Sequence, residues 1–301
     1  MRSLTQKACV IFNPAARGEK ASRFREHLGK LAAQCTLKPT YAAGAGRVLA
    51  AEAVREGFEL IIAAGGDGTV NEVLNGIGSE PGGFARACLG VLPLGTVNVF
   101  AKELGMPTQF PGAWRILERG QETLIDLPEA EFTTKGQTER RFFAQMAGAG
   151  LDSRAIDLVD WEQKKRIGAL AYVLAGCKAL RGQMPQIIAT NGEETATGEL
   201  VLIGNGRFYG GKYCFFPKAD LRDGLLDVSV FPRANWAGLI RCGVGLLTDR
   251  LYTAGGAEHF KASSLRLEST SPVPFHVEGE NVGFLPAQFS IRSQQLRVVT
   301  P

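Results

Sequence analysis

The sequence lacks long apolar runs, paired cysteines and any large excess of one charge. A membrane-spanning helix needs about 20 apolar residues, and the longest uncharged stretch with a helical pattern, residues 167–177, is far shorter. The first 16 residues contain no apolar core of the kind found in secretory signal peptides. These absences exclude an integral membrane protein, so we expect a soluble or peripheral one.

The six cysteines are scattered, and no two form a C-x-x-C pair. Without a secretory leader, this pattern is typical of reduced and mostly buried thiols in a cytoplasmic protein. Lysine and arginine total 34 against 30 acidic residues, a net charge of +4. That balance is low for a nucleic-acid-binding protein, so no nucleic-acid partner is expected.

Glycine, by contrast, is abundant. Average usage would give about 21 glycines in a chain of this length, whereas the 301 residues contain 37. Thirteen of them fall between Gly44 and Gly105. The length predicts two domains, and much of the glycine excess lies in the first of them.

The first part of the chain alternates short apolar runs with helical patterns. This alternation predicts a parallel sheet covered by helices on both faces. The predicted strands span 8–12, 60–64 and 89–92, and the predicted helices span 22–34, 48–56 and 69–75.

From about residue 124 the pattern changes to short strand-like segments separated by polar, glycine or proline turns. Such segments are typical of antiparallel sheets, interrupted here by helical patterns at 161–180 and 236–251. We place the domain boundary so that 1–128 is an α/β domain and 129–301 a β-rich, sandwich-like domain. The last residues of the chain, about twelve of them, are expected to return to the first domain.

One segment carries specific chemistry. A predicted buried strand ends in Gly65-Gly66-Asp67-Gly68-Thr69, and a helix follows at once. Glycines there let backbone N–H groups approach phosphate oxygens, and the helix N-terminus favours negative charge. Asp67 would be out of place in a simple phosphate loop, because a carboxylate there usually serves a metal ion or a hydroxyl. A plain strand-to-helix turn with Asp67 or Thr69 as N-cap is the alternative.

The loop is neither a Walker A motif nor G-x-G-x-x-G, but it is one of several motifs in a fixed order. These are N-P-A-A-R-G at 13–18, G-G-D-G-T-V-N-E at 65–72, P-L-G-T-V-N at 93–98, N-G-R with G-G, P and D-G-L-L-D between 205 and 227, and E-G-E at 278–280. In this order they resemble the diacylglycerol kinase catalytic-domain family, especially its small soluble bacterial lipid kinases. The nucleotide-domain motif is also similar, more distantly, to that of NAD kinases.

The resemblance implies ATP with Mg²⁺ as phosphate donor and a hydroxyl of diacylglycerol or a related lipid as acceptor. Asp67 would organise the catalytic Mg²⁺, and Glu280 would be the general base that takes the hydroxyl proton, with Glu278 supporting it. The residues implied for nucleotide binding are Asn13, Arg17, Thr40, Gly65, Gly66, Asp67, Gly68, Thr69, Asn71 and Thr96.

A second, structural Mg²⁺ is implied at Asp220, Asp223 and the backbone carbonyl of Leu225. Closely spaced carboxylate and carbonyl oxygens suit a hard cation, and an ordinary D-G turn is the alternative. His276 precedes Glu278 by two residues on a predicted strand, which would place both on one face. A packed or exposed histidine without a role in the site is the other interpretation.

Three residues depart from the family pattern. Arg17 replaces a glycine of the first loop, Val99 stands where an aspartate is common, and Glu278 replaces an aspartate. The last two motivate one alternative function, a nucleotide-binding regulator without turnover. Another alternative is a kinase for a soluble hydroxyl compound such as NAD.

The segment 161–182 contains five basic residues and one acid. Its net charge of +4 equals that of the whole chain. With Trp161 and Tyr172 it fits a helix at an anionic membrane surface, and a core helix with a solvated basic end fits as well. We therefore expect a cytoplasmic enzyme that associates peripherally with the inner membrane face. The acceptor lipid and the oligomeric state are left open.

Overall fold

The computed structural model describes residues 7–16, 19–119, 121–158, 176, 178–180, 182, 184–211, 213–248, 251–254 and 256–301. Two compact units divide the chain. The N-terminal unit is Met1–Leu127 with Ser293–Pro301, and the C-terminal unit is Pro128–Arg292. Most of the predicted basic helix at 161–182 lies outside the described residues, as does Arg17.

The N-terminal unit is built on a parallel sheet with the strand order β2-β1-β3-β4. Its strands are β1 (Ala8–Phe12), β2 (Thr36–Pro39), β3 (Leu60–Gly65) and β4 (Cys88–Pro93). Its helices are α1 (Glu19–Glu26), α2 (Leu28–Ala32), α3 (Ala45–Arg55), α4 (Asp67–Ser79), α5 (Gly83–Arg86), α6 (Val99–Glu103) and α7 (Phe110–Arg119).

Burial explains why the strands of this sheet are apolar throughout. Every residue of β1 and β4 is buried, and β3 is buried after Leu60. A strand covered on both faces gains from apolar side chains at every position, not only at alternate ones. The helix α4 buries Val70, Val73, Leu74 and Ile77, the spacing of a single helical face.

Two long strands, β5 (Glu122–Thr134) and β18 (Ala287–Val299), pass from one unit into the other. The end of β18 belongs to the N-terminal unit, where Val298 pairs in parallel with Leu89 of β4.

The C-terminal unit contains two antiparallel layers. In one, β18, β15, β8 and β9 follow in that order, with β5 pairing β18 and β6; the other has the order β14-β13-β10-β7-β16-β17. The remaining strands are β6 (Gln137–Phe142), β7 (Met146–Gly150), β8 (Ile187–Thr190), β9 (Thr195–Gly198), β10 (Leu200–Gly204), β11 (Phe208–Tyr209), β12 (Tyr213–Cys214), β13 (Leu226–Phe231), β14 (Glu258–Ala262), β15 (Ser264–Ser269), β16 (Pro274–Val277) and β17 (Glu280–Phe284). The helices of this unit include α8 (Leu151–Leu158), α9 (Trp236–Thr248) and α10 (Leu251–Ala254).

Aromatic side chains fill the space between these layers. Phe275 of β16 meets Phe289 of β18 edge to face at 5.8 Å between ring centroids, and Phe132 of β5 meets Phe275 at 5.0 Å. Such edge-to-face pairs are a favoured aromatic geometry. The C-terminal unit is thus a sandwich of two antiparallel sheets, and the predicted fold class is confirmed for both units.

Candidate active site

The carboxyl ends of the four parallel strands of the N-terminal unit lie along one edge of its sheet. Phe12 pairs with Pro39 and with Ala64, and Gly65 pairs with Pro93. The residues that follow these strand ends therefore lie next to one another, at the edge where open α/β sheets bind ligands.

The glycine loop and the P-L-G-T-V-N loop contact each other at this edge. The backbone N–H groups of Leu94 and Gly95 donate to the Gly65 carbonyl at 2.9 and 3.2 Å. A Cβ on Gly95 would lie 2.5 Å from the Gly66 Cα, and one on Gly65 would lie 2.3 Å from the Thr69 Oγ1. A side chain at Gly95 would separate the two loops, and one at Gly65 would collide with Thr69 of the same loop. The two glycines therefore permit the close packing at this edge.

Asp67 joins the two loops. It is the first residue of α4, and its Oδ1 accepts a hydrogen bond from the Phe100 N–H at 3.2 Å, in the first turn of α6. Asn98, the N-cap of α6, has a left-handed φ of 53° and donates from Nδ2 to the Gly95 carbonyl at 2.7 Å. Its buried Oδ1 has no hydrogen-bond partner within the described part of the chain.

These side chains fit a divalent cation. Carboxylate and amide oxygens are the ligands that Mg²⁺ prefers, and Asp67 and the unsatisfied Asn98 oxygen supply both types on loops that touch. A buried acceptor without a donor is costly, and a cation would satisfy it.

The other described residues implied for nucleotide binding lie along the same edge; Arg17 is outside the described residues. The Asn13 Oδ1 accepts from the Ala15 N–H at 2.9 Å, and the Thr40 N–H donates to the Phe12 carbonyl at 2.8 Å. Gly68 and Thr96 are exposed, whereas Asn71 accepts from Asn75 within α4 at 2.8 Å. The nucleotide-binding roles of the whole set remain a proposal.

Sequence reasoning missed the role of Glu72, the last residue of the glycine motif. Its two carboxylate oxygens accept from the N–H groups of Gly44 and Gly46, each at 2.8 Å. The carboxylate thus caps the N-terminus of α3, where negative charge is favoured, and ties α3 to α4. The motif itself was the available signal, but it does not name the partner.

In the C-terminal unit, the E-G-E motif forms a turn between β16 and β17. The strand β16 ends at Val277, and both Glu278 (φ 53°) and Gly279 (φ 77°) are left-handed. The expectation that His276 and Glu278 share a strand face is therefore wrong, because the backbone leaves the extended conformation between them. Glu280 is exposed at the start of β17.

The Glu278 carboxylate binds backbone at this turn. Its Oε1 accepts from the N–H groups of Ala144 and Gln145, each at 2.7 Å, while its own N–H donates to the Met146 carbonyl at 2.9 Å. Glu278 thus fastens the turn to the segment that precedes β7.

His276 is buried and belongs to a hydrogen-bonded network with the half-buried Asp152 and Tyr209, which sequence reasoning did not predict. His276 is 1% exposed, and its Nε2 lies 2.8 Å from the Asp152 Oδ2. The Tyr209 hydroxyl donates to the other Asp152 oxygen at 2.7 Å. Burial alone would raise the pKa of Asp152, but its contact with His276 and the hydrogen bond from Tyr209 outweigh that effect and lower the pKa.

The turn between Asp220 and Leu225 contains the oxygens implied for a second cation. The Asp220 Oδ1 accepts from the Arg222 N–H at 3.1 Å, and the Asp223 Oδ1 accepts from the Leu225 N–H at 3.0 Å. The Lys261 ammonium lies 2.7 Å from the Asp223 Oδ2 and so already supplies a positive charge here.

Comparison with known proteins decides the family. Residues 7–130 match the diacylglycerol kinase catalytic domain, and residues 145–300 match the YegS C-terminal NAD kinase beta sandwich-like domain. The chain belongs to the diacylglycerol kinase catalytic-domain family. The resemblance drawn from the ordered motifs is confirmed, and the family consists of ATP-dependent phosphotransferases with an alcohol group as acceptor.

Relatives match over nearly the whole chain. A diacylglycerol kinase of Staphylococcus saprophyticus is 29% identical over 310 residues, covering 99% of this chain and 96% of the relative. A diacylglycerol kinase of Bacillus subtilis is 29% identical over 306 residues, covering 98% and 97%.

Solved structures share the fold. A diacylglycerol kinase structure from Bacillus anthracis superimposes with a TM-score of 0.70 at 21% identity, and another chain from that organism with 0.77 at 24%. Each covers 98% of this chain and 97% of the other. In the described part of this chain, helices of the length and apolarity needed to cross a membrane are absent.

Proposed function

We propose that this protein is a lipid kinase that transfers the γ-phosphate of ATP to a hydroxyl of diacylglycerol or a related lipid. The observation that carries the proposal is the contact between two glycine loops at the sheet edge, with Asp67 hydrogen-bonded across them. Relatives that match over the full length of the chain are diacylglycerol kinases, which supports a lipid acceptor.

The N-terminal unit would hold the nucleotide. Backbone N–H groups at the start of α4, between Gly66 and Thr69, would face the phosphates with the positive end of the helix dipole. Asp67 and Asn98 would hold Mg²⁺ through their side-chain oxygens. When bound, the cation neutralises charge on the transferring phosphoryl group.

Glu280 would supply the base. Its carboxylate takes the proton of the acceptor hydroxyl as the hydroxyl oxygen forms a bond to the γ-phosphorus. The bond between that phosphorus and the β–γ bridging oxygen breaks, and ADP leaves. Phosphoryl transfer depends on such positioning and charge stabilisation more than on covalent chemistry.

The direct test incubates the purified chain with γ-labelled ATP, Mg²⁺ and a total lipid extract, with mass detection of phosphorylated species. We expect labelled phosphatidate from diacylglycerol or the phosphate of a related lipid. Label on NAD with none on lipids would indicate a soluble substrate, and tight ATP binding without any product would indicate a regulator.

We also propose that Asp220, Asp223 and the Leu225 carbonyl hold a second, structural Mg²⁺. Lys261 contacts both Asp223 (2.7 Å) and Asp227 (3.1 Å), and burial raises the pKa of Asp227 even with that lysine beside it. The cation and Lys261 therefore compete for the Asp223 carboxylate.

The variant Lys261→Met is expected to lower the free energy of unfolding in metal-free buffer by about 1–3 kcal/mol, because it leaves Asp227 buried without its cation. Mg²⁺ should then raise its Tm more than that of the wild type, since the metal no longer competes with an ammonium group. Thermal melts with and without Mg²⁺ measure both effects. Asp223→Asn should abolish any rise in Tm caused by Mg²⁺. A Tm that Mg²⁺ leaves unchanged in both the wild type and Lys261→Met would refute the second metal site.

Peripheral association with an anionic membrane is part of the proposal. On α9, Trp236, Ile240 and Val244 are 52%, 65% and 55% exposed, and their four-residue spacing places them in one stripe along the helix. The exposed Arg241 is on the same helix. Apolar side chains beside basic ones suit the interface of an anionic bilayer.

The double variant Trp236→Ser/Ile240→Ser is expected to bind vesicles of anionic phospholipid about tenfold more weakly, because it removes the apolar surface that would enter the bilayer. Neutralising Lys164, Lys165 and Arg166 should weaken binding mainly at low salt. Co-sedimentation with liposomes measures both, with the exposed Ile188→Ser on β8 as control. Unchanged binding in both sets would exclude membrane contact through these segments.

A further inference from the structure

The partly buried hydrogen-bonded network of Tyr209, Asp152 and His276 continues into the turn that carries Glu280. Tyr209 and His276 donate to the two oxygens of Asp152, at 2.7 and 2.8 Å. The N–H of Gly279 donates to the Nδ1 of His276 at 3.3 Å. The chain therefore runs from a hydroxyl on β11 through a carboxylate on α8 and a ring on β16 to the backbone beside Glu280.

The hydrogen bond from the Gly279 N–H selects the tautomer of the His276 ring. Nδ1 accepts from the Gly279 N–H, so it carries no hydrogen, and the ring proton is on Nε2, which donates to Asp152. Asp152 accepts two donors and is ionised. Each polar group of this hydrogen-bonded network therefore has a partner of the correct type, which keeps the cost of burying the network low.

The turn is also held on its other side by the same helix. Asn281, directly after Glu280, donates from Nδ2 to the Ser153 carbonyl at 2.8 Å and to the Asp157 Oδ1 at 2.7 Å. Asp152, Ser153 and Asp157 all lie on α8. Helix α8 thus contacts the segments before and after Glu280. The left-handed backbone at Glu278 needs such support because that conformation is disfavoured for a residue other than glycine.

We propose that Tyr209, Asp152 and His276 are positioning residues that fix the Gly279 backbone and thereby the direction of the Glu280 carboxylate. The inference rests on the proposed function of Glu280 as general base. A base must lie within hydrogen-bond reach of the proton it removes, and small displacements of such groups lower rates steeply. The His276 Nδ1, which accepts the hydrogen bond from the Gly279 N–H, is the atom of this network that acts on the turn.

Two isosteric variants separate the two ends of the histidine. In His276→Asn the amide oxygen lies where Nδ1 was and still accepts from Gly279, whereas the donor to Asp152 is lost. In His276→Gln the amide nitrogen reaches towards Asp152, whereas the acceptor for Gly279 is lost. We expect kcat to fall about 100-fold in the glutamine variant and less than about tenfold in the asparagine variant.

The KM for ATP should change little in either variant, because neither end of the histidine belongs to the nucleotide loops. Equal kcat in the two variants would overturn the positioning role, since loss of packing alone does not distinguish the ends. If either variant fails to fold, Tyr209→Phe is the substitute, because it removes only the outermost hydroxyl of the network. A kcat equal to that of the wild type in Tyr209→Phe would overturn the positioning role.

A double-mutant cycle with Glu280→Gln tests whether His276 acts through Glu280. We expect the double variant Glu280→Gln/His276→Gln to retain the same residual kcat as Glu280→Gln alone, because a positioned base that is absent cannot be misplaced. Multiplicative losses would show an independent, structural effect. Wild-type kcat in Glu280→Gln would instead overturn the proposed base, which distinguishes failure of the function from failure of the inference.

Discussion

Replacement of Asp67 by asparagine is expected to lower the rate of phosphate transfer by about 1000-fold while the fold persists. The Oδ1 of Asp67 accepts from the Phe100 N–H at 3.2 Å, and an asparagine retains an acceptor oxygen there. The substitution therefore removes the negative charge that would organise Mg²⁺ and preserves the hydrogen bond between the two loops. Transfer of labelled γ-phosphate to lipid measures the rate, and thermal melts measure the fold.

Asp67→Ala removes the charge and the acceptor together, so it should lose activity to the same extent and also lose stability. A comparison of the two variants separates the electrostatic part from the capping of α6. The exposed Glu26→Gln removes a carboxylate from the same unit and serves as control. Wild-type rates in Asp67→Asn or Asp67→Ala would refute the proposed role of this residue.

Replacement of Glu280 by glutamine is expected to lower kcat by about 10²–10⁴-fold, the usual contribution of a general base. Glu280 is exposed at the start of β17, and glutamine has nearly the same size, so the free energy of unfolding should change little. The KM for ATP should be close to that of the wild type, because the nucleotide loops belong to the other unit.

The matched control is Glu193→Gln, an exposed glutamate in the turn between β8 and β9 of the same unit. It makes the same chemical change at a turn without a proposed role, and its kcat should equal that of the wild type. A similar kcat for Glu280→Gln and Glu193→Gln would contradict the assignment of the base.

Local patterns predicted the buried strands well and the boundaries of helices less well. The predicted strand at 8–12 is β1 with the same bounds, because a fully apolar run between polar segments has few alternatives. The edge strand β2, T-L-K-P, was missed, since it is half exposed and has no apolar run. The predicted helix at 22–34 is two helices, α1 and α2, that meet at His27.

Other differences arise from contacts between distant segments. The predicted helix at 48–56 begins at Ala45, where Glu72 caps it from α4 through the N–H groups of Gly44 and Gly46. The mostly apolar residues 142–148 are divided between the end of β6 and β7. Glu278 accepts the N–H groups of Ala144 and Gln145 at that division, so the interruption has a cause about 130 residues away.

By itself, the sequence determined the family, the alternation of strands and helices, and the residue types with phosphate and proton chemistry, because motifs and periodicity depend on neighbours in the chain. The tertiary structure decided what holds those residues in place. Phe100 faces Asp67, 33 positions earlier, only because two distant segments meet. His276 meets Asp152, 124 positions earlier, only where β16 packs beside α8. Hydrogen bonds over such separations follow from the folded sheets, and no local pattern in the sequence encodes them.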